Sequence, residues 1–193
     1  MEHVVTLHAL DQKVAIAFAY IKYDFPDSQQ PLNIVSAFIK QLCWKKDTIP
    51  QDLLTFLHNY DGNARIPTLD TVIDRFIHLV KTSFDQVFLV IDALDECEEH
   101  LRKQILEFIE HLTTLVPTAK VFVTSRRETD IVEGFQLLGT PAIEIAAHYV
   151  QADIKSFVVD RVKHLIETNK LKIRDPSLEG EIIERLTTQA EGM

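Results

Sequence analysis

The sequence predicts an α/β fold in which helices cover both faces of a parallel sheet. Short apolar runs rich in β-branched and aromatic residues recur along the chain and are typical of strands. Segments with apolar residues at helical spacing separate these runs, and this alternation favours parallel strands joined by helices. Because ligands bind beyond the carboxyl ends of the strands in such folds, the polar residues that follow each run are the first candidates for a functional site.

The composition is that of an ordinary globular domain. The chain has 193 residues, of which 46% are hydrophobic and 25% charged, and its net charge is −9. This acidic balance argues against a nucleic-acid partner, for which a basic face is expected. Cys43 and Cys97 form no disulfide pattern and favour a reducing, cytoplasmic location. No apolar run is long enough to cross a bilayer and the N-terminus does not resemble a signal peptide, so we expect no membrane partner.

The first part of the chain predicts one strand and three helices. VAIAFAYIKYDF, residues 14–25, predicts a strand that Pro26 terminates. PLNIVSAFIKQLCW begins with proline, which suits the first position of a helix, and we expect Phe38 and Trp44 of this helix to lie in the core. Two further helices, separated by the turn DGN, are predicted at IPQDLLTFLHNY and at TLDTVIDRFIHLV, the second with Thr68 as its N-cap.

The rest of the chain alternates between strands and helices. QVFLVID is a continuous apolar run that predicts a strand covered on both faces. The helix predicted at HLRKQILEFIEHLTTLV has one apolar face, formed by Leu101, Ile105, Phe108 and Leu112. The later elements are two buried strands, AKVFVTS and PAIEIAA, and three helices, ETDIVEGFQLL, VQADIKSFVVDRVKHLIE and SLEGEIIERLTTQA.

Three carboxylates follow the QVFLVI run within five positions. Asp92 comes directly after the run, where nucleotide-hydrolysing α/β proteins hold Mg²⁺ through a carboxylate. Ala93 follows Asp92, and its small side chain takes up little space beside the carboxylate. Asp95 and Glu96 are placed to orient or deprotonate an attacking water, and we take them as the candidate catalytic residues.

A second polar group follows the next run. Thr124, Ser125 and Arg126 come directly after KVFV, and the guanidinium of Arg126 suits bidentate contact with a terminal phosphate, while the two hydroxyls add donors. Each group has a plainer interpretation. Asp95 and Glu96 would stabilise the start of the next helix by about 0.3–1 kcal/mol through its dipole, and TSRRE would serve as a polar turn with a helix cap. The two groups in succession, with one helix between them, favour a nucleotide site.

The sequence resembles NACHT-type STAND NTPases. VFLVIDALDEC looks like their Walker B motif and KVFVTSRRE like their sensor 1 strand, with Arg127 in place of the usual proline. IAFAYIKYDFPDSQQPLNIVSAFIKQL, IEIAAHYVQADIKSFVVDRV and the closing TTQAEGM are similar to fungal members, including the nephrocystin-like N-terminal type. The resemblance implies a P-loop NTPase-like, three-layer parallel sheet over residues 1–147 and a helical lid over residues 148–193. It also implies that Asp92 binds Mg²⁺, that Asp95 and Glu96 are the distal acids, and that Arg126 senses the phosphate of Mg-ATP.

The phosphate loop of that family has no counterpart in the sequence. Such a loop requires G-x-x-x-x-G-K-[ST], and none of the five glycines is followed by lysine. The resemblance starts beyond the loop, so MEHVVTLHALD is expected to correspond to the end of its helix. We therefore expect Mg-ATP to bind very weakly or not at all. The resemblance further implies that a strand of the family, which lies between the KVFVTS and PAIEIAA strands in the sheet, is missing. Its loss leaves a gap between these two strands, lets them pair directly, or exposes an edge to which a partner strand can add.

Three functions remain open at this point. The first is a NACHT module that acts in a full-length relative as a nucleotide-dependent switch for signalling and assembly and is not an active enzyme alone. The second is a non-enzymatic interaction protein, whose partners are further copies of itself or full-length relatives. The third is a hydrolase with an unrecognised phosphate cradle. Cys97 and His100 form a lone C-x-x-H without a second ligand pair, which favours a solvated helix start over a zinc site.

Overall fold

The structure is a computed structural model that describes residues 11–60, 66–145, 147–175 and 177–189. The chain folds as two compact units, Met1–Thr140 and Pro141–Met193. The sequence placed this division between residues 147 and 148. The helix end predicted at MEHVVTLHALD, except Asp11, and the turn DGN lie outside the described residues.

A parallel sheet of three strands forms the centre of the first unit. Its strands are β1 (Val14–Tyr20), β2 (Gln86–Asp92) and β3 (Ala119–Val123), in that spatial order. Ala17 of β1 lies opposite Leu89 of β2, which in turn lies opposite Val121 of β3. All three carboxyl ends therefore meet at the same edge, and the predicted α/β class with parallel strands is confirmed.

Five helices of the first unit connect and flank the strands. The first of them begins at Pro31, as predicted, where the backbone N–H that proline lacks would have no partner within the helix. The third is capped by Thr68, also as predicted, because Thr68 Oγ1 accepts a hydrogen bond from Thr71 N at 3.4 Å. The five helices are α1 (Pro31–Lys46), α2 (Gln51–Tyr60), α3 (Leu69–Ser83), α4 (Glu99–Leu115) and α5 (Thr129–Leu137).

The second unit contains two helices, α6 (Ala147–Glu167) and α7 (Ser177–Gln189), which pack against each other. Asp175 Oδ1 accepts hydrogen bonds from the backbone N–H of Ser177 at 3.0 Å and from its hydroxyl at 2.8 Å, and these bonds lower the pKa of Asp175. The carboxylate thus caps the start of α7. Both helices agree with the sequence prediction. None of the helices in the described residues has the length and apolarity to span a bilayer.

One face of the sheet carries the core of the first unit. Ala17 and Leu89 are fully buried on this face, beneath helices that the aromatic rings of Phe38, Phe76 and Phe108 join together. These rings come from α1, α3 and α4, and their centroids lie 5.7–6.4 Å apart. The apolar face predicted for α4 is buried as expected.

The opposite face of the sheet is open. Phe18, Val90 and Phe122 lie side by side on it, and Phe18 is 42% and Phe122 59% exposed. The strands are apolar on both faces, as predicted. However, the helices with the most extensive contacts to the strands, α1 and α4, belong to the core on the other face. Among the described residues of this unit the arrangement has two layers, and the predicted cover on both faces is absent.

The strand predicted at PAIEIAA is wrong for the residues that the structure describes. Residues 141–145 have no regular secondary structure, and Ile143 and Ile145 are 88% and 75% exposed. Ala147 already belongs to α6. An apolar run becomes a strand only when a neighbouring strand takes up its backbone hydrogen bonds, and no strand of the described residues pairs with this segment.

The predicted core position of Trp44 is also wrong, because its side chain is 76% exposed while Phe38 is fully buried. The two residues are six positions apart on α1, which places them about 120° from each other around the helix at 3.6 residues per turn. Leu42, four positions after Phe38, shares its buried face.

Candidate functional site

The ends of β2 and β3 are joined by a side chain. Thr124, the first residue after β3, donates a hydrogen bond from its hydroxyl to Asp92 Oδ1, and the same hydroxyl accepts one from the backbone N–H of Ala93 at 3.0 Å. Backbone bonds continue the connection, from Thr124 N to Ile91 O and from Leu94 N to Thr124 O, both at 3.0 Å. Two residues that the sequence selected separately, Asp92 and Thr124, are therefore in direct contact.

Ala93 turns the chain at this point. Its φ of 60° and ψ of 51° lie in the left-handed region, which costs a residue with a Cβ about 1–2 kcal/mol. The turn directs Leu94 into the core, where it is fully buried, and the short 3-10 turn Leu94–Glu96 follows. Asp95 and Glu96 are thereby held at the sheet edge rather than continued along the strand.

Asp95 binds the loop that follows β3. Its Oδ1 accepts a hydrogen bond from Arg126 N at 3.0 Å, and its Oδ2 lies 3.5 Å from Arg126 Nε. The Asp95 side chain is only 11% exposed, whereas that of Arg126 is 78% exposed. The ion pair of Asp95 with this solvated guanidinium contributes little to stability. The hydrogen bond from Arg126 N is therefore the contact that fixes the loop, and the guanidinium remains accessible to a ligand.

Glu96 binds the loop that follows β1, because its Oε2 accepts a hydrogen bond from Tyr23 N at 2.9 Å. Asp92, Asp95 and Glu96 therefore each contact a group in a neighbouring segment at the sheet edge. This explains why a buried strand ends in three acids. A donor satisfies an oxygen of each carboxylate, which offsets the cost of partial burial.

Ser125 does not join these contacts. Its hydroxyl donates to the carbonyl oxygen of its neighbour, Arg126, at 2.7 Å, and the side chain is exposed. Among the residues predicted for the site, the structure brings together Asp92, Thr124, Asp95 and Arg126, while Glu96 lies on the β1 side of the same edge.

Gln29, which the sequence does not mark as a site residue, is 4% exposed and bonds to the loops after β1 and β2. Its Nε2 donates to Lys22 O at 3.2 Å and to Tyr23 O at 3.0 Å. Its Oε1 accepts a hydrogen bond from Glu98 N at 3.2 Å. Nothing in the local sequence distinguishes Gln29 from the exposed Gln30 beside it, since its role depends on partners from a distant segment.

Arg102 of α4 was also missed. Its Nε lies 2.8 Å from Asp130 Oδ2 of α5, and its Nη1 donates to Asp95 O at 3.3 Å. The Arg102 side chain is 12% exposed. The residue therefore fixes the start of α5 against the turn that carries Asp95.

A magnesium ion would find an incomplete set of ligands at this edge. The part of the chain that the structure describes contains no group of three His, Cys, Asp or Glu side chains placed to share a metal ion. Asp92 offers its second oxygen, for which the described residues show no hydrogen-bond partner. Mg²⁺ is commonly held by one or two carboxylates together with phosphate oxygens and water. Asp92 and Thr124 fit that mode, provided that a phosphate supplies further ligands.

Cys97 and His100 do not form a common site. Cys97 is 3% exposed, and its thiol donates to Gln29 O at 3.4 Å, whereas the His100 side chain is 67% exposed and lies 3.4 Å from Glu98. Burial raises the pKa of the Cys97 thiol to about 11, although nearby Arg102 lowers it in part. The thiol is therefore neutral and protected at physiological pH.

This raised pKa predicts a loss of stability at alkaline pH. The contribution of the buried thiol to the free energy of unfolding is fully present below the pKa of the unfolded thiol, near 9. It is lost as the pH rises toward about 11, because the thiol of the unfolded state releases its proton before that of the folded state. The difference in pKa corresponds to roughly 2–3 kcal/mol. Urea unfolding at a series of pH values, compared between the wild type and Cys97→Ala, checks this result. The wild type should lose more stability than the variant between pH 9 and 11, and parallel curves would contradict the prediction.

The fold and the site define an α/β protein in which acidic, hydroxyl and guanidinium groups meet at the carboxyl edge of a parallel sheet. The chain belongs to the family described as Nephrocystin 3, N-terminal, whose profile matches residues 1–126. The matched region includes the edge residues described above from Lys22 to Arg126, whereas Asp130 lies beyond it. No curated protein and no solved structure matches the chain.

Proposed function

We propose that this chain is the metal- and phosphate-facing part of a NACHT-type, nucleotide-dependent switch. The observation that carries the proposal is the contact of Asp92 with Thr124 beside that of Asp95 with Arg126, at the joined ends of β2 and β3. In open parallel sheets this edge is where ligands bind. Resemblance of the two segments to Walker B and sensor 1 motifs supports the same assignment, with Mg-ATP as the ligand.

Each residue has a defined task in this proposal. Thr124 orients the carboxylate of Asp92 so that one oxygen is left for a magnesium ion, which supplies charge neutralisation when bound together with phosphate. Asp95 holds the backbone of Arg126, and the exposed guanidinium is free to turn toward a terminal phosphate. Because Asp95 and Glu96 also hold the loops after β3 and β1, a displacement of Arg126 is transmitted along the whole edge.

The chain itself is proposed to be inactive in ATP hydrolysis. The sequence has no G-x-x-x-x-G-K-[ST] segment, so the backbone donors and the lysine that supply most phosphate contacts must come from elsewhere. Each charge-assisted hydrogen bond that is missing removes about 1.5–3 kcal/mol of affinity. We therefore expect the isolated chain to bind Mg-ATP with a Kd of about 1 mM or weaker.

Nuclear magnetic resonance of the ¹⁵N-labelled chain tests this function, because it detects weak binding residue by residue. Titration with Mg-ATP should shift the backbone amide signals of Ala93, Asp95 and Arg126 more than others, and Mg-ADP should shift that of Arg126 less. Asp92→Asn should remove most of the response. Asp85→Asn is the matched control, because Asp85 is exposed beside the other end of the same strand and should leave the response intact.

A response of equal size in both variants, or one spread outside the sheet edge, would contradict the switch.

A second candidate function would then gain support, a non-enzymatic protein that pairs with copies of itself or with longer relatives. The observation that favours this candidate is the outer edge of β3, which pairs with no other strand in the described residues, next to the exposed Phe122. Concentration-dependent sedimentation without any response to Mg-ATP would distinguish this candidate from the switch.

A further inference from the structure

A groove lies between α4 and α5, and Asp92, Thr124 and Arg126 of the nucleotide edge are not among its lining residues. Its volume is about 810 Å³. Both helices contribute to it at helical spacing, α4 between Glu99 and Glu110 and α5 between Asp130 and Leu137, and Leu138 directly after α5 completes that side. The α4 side spans eleven residue steps, or about 16 Å at a rise of 1.5 Å per residue. This length corresponds to roughly three turns of a helix.

The floor of the groove is apolar and its shape depends on a glycine. Leu106, Gly134, Leu137 and Leu138 supply the apolar lining. A Cβ at Gly134 would lie 2.8 Å from Leu106 Cδ1, so the absence of a side chain allows α5 to approach α4 closely. Leu137 is 90% exposed and has little structural reason to be apolar in this unit. Leu137 therefore extends the apolar lining of the groove into solvent, where a partner side chain can contact it.

The walls of the groove are acidic. They carry six carboxylates and one lysine, and Glu99, Glu110 and Glu133 have no ionic partner among the described residues. Asp130 differs from these, since it pairs with Arg102 at 2.8 Å and thereby fixes α5 to α4. Glu98 and Glu107 lie 3.4 Å and 4.0 Å from His100 and Lys103. The lining is thus an apolar stripe between acidic walls, on which Glu99, Glu110 and Glu133 carry the uncompensated charges.

We propose that this groove binds a basic amphipathic helix of a partner protein, with leucine-like side chains on the floor and lysine or arginine side chains along the walls. A groove between two helices accommodates a third helix through anchors at helical spacing. The charges select a basic partner and would repel an acidic one. They also argue against a second copy of this chain, whose net charge is −9.

The test uses the full chain and a fluorescein-labelled helical peptide of leucine and lysine, with its leucines on one face. Fluorescence anisotropy should show saturable binding that weakens between about 50 mM and 300 mM salt as the charges are screened. Leu137→Gln should weaken binding by about tenfold, the value of one buried leucine contact. The double variant Glu110→Gln with Glu133→Gln should weaken it by about fivefold, the sum of two solvent-exposed ion pairs.

Matched controls separate this groove from general attraction to an acidic protein. Ile66→Gln removes a side chain that is 81% exposed elsewhere, and Asp74→Asn with Asp85→Asn removes two other exposed charges. These variants should bind the peptide as the wild type does. Equal losses in controls and groove variants, or equal binding of a lysine peptide without leucines, would overturn the proposal. A dimer of the chain that Leu137→Gln dissociates would assign the groove to a second copy and would overturn it as well.

Discussion

Replacing Phe108 with alanine is expected to lower the free energy of unfolding of the first unit by about 3–5 kcal/mol. Phe108 is 2% exposed, and its ring centroid lies 5.7 Å from that of Phe76 and 6.4 Å from that of Phe38. The substitution removes the aromatic group that connects α4 to α1 and α3, and the fully buried neighbours cannot collapse to fill the cavity. Since domains are commonly stable by only about 5–15 kcal/mol, this loss removes a large share of the stability of the unit.

Urea unfolding followed by circular dichroism measures the loss, and hydrogen exchange resolved by mass spectrometry assigns it to residues 1–140. Phe122→Ala is the matched control. Phe122 is 59% exposed on the open face of the sheet, so its removal should cost less than about 1 kcal/mol. Similar losses for the two phenylalanines would show that the open face is covered in solution and that the core is not confined to one face.

Replacing Gln29 with alanine is expected to cost about 2–3 kcal/mol, a large effect for one uncharged polar residue. The buried amide bonds to Lys22 O, Tyr23 O and Glu98 N. Its removal leaves Tyr23 O and Glu98 N without partners, whereas Lys22 O still accepts hydrogen bonds from Phe25 N and Ser28 Oγ. Each unsatisfied buried group costs about 1–3 kcal/mol, reduced here to the extent that water enters. The neighbouring variant Gln30→Ala should stay within about 0.5 kcal/mol, because Gln30 is exposed and makes no side-chain cap bond.

Cys97 provides a local measurement of the same prediction. Its thiol is buried against Gln29 O, so iodoacetamide should modify it slowly in the wild type and much faster in Gln29→Ala as the loops after β1 and β2 separate. Cys43 lies apart from these loops in α1, and its modification rate should change less. Unchanged reactivity of Cys97, together with unchanged stability, would show that Gln29 does not hold the loops together.

Much of the fold was predictable because the local pattern and the tertiary environment agree. QVFLVID is apolar at successive positions, a pattern typical of a strand in a parallel sheet, and it forms the central strand β2. Thr68 caps α3 as its sequence context predicts. The errors occurred where local pattern alone was decisive. PAIEIAA has the composition of a strand without a partner strand, and Trp44 was assigned to a helix face that its spacing from Phe38 does not reach.

The sequence also located the edge of the sheet but not its contacts. Asp92, Asp95 and Arg126 were selected because each follows a predicted strand, and the structure places them within one connected group. The partners that occupy the carboxylates were not predictable. Tyr23 N reaches Glu96 across 73 residues of sequence, and Gln29 reaches Glu98 across 69. No pattern within a single element encodes contacts of this range.

The sequence by itself therefore determined the type and order of most elements, the parallel arrangement of the strands and the edge that carries the polar residues. These properties follow from local periodicity and from the chemistry of residues next to one another. Only the tertiary structure decided which face of the sheet is covered, which oxygen of each acid is occupied, and that Gly134 permits a groove beside Leu106. Those outcomes depend on distances between segments that are remote in sequence, where packing and buried hydrogen bonds, rather than local propensity, determine the free energy.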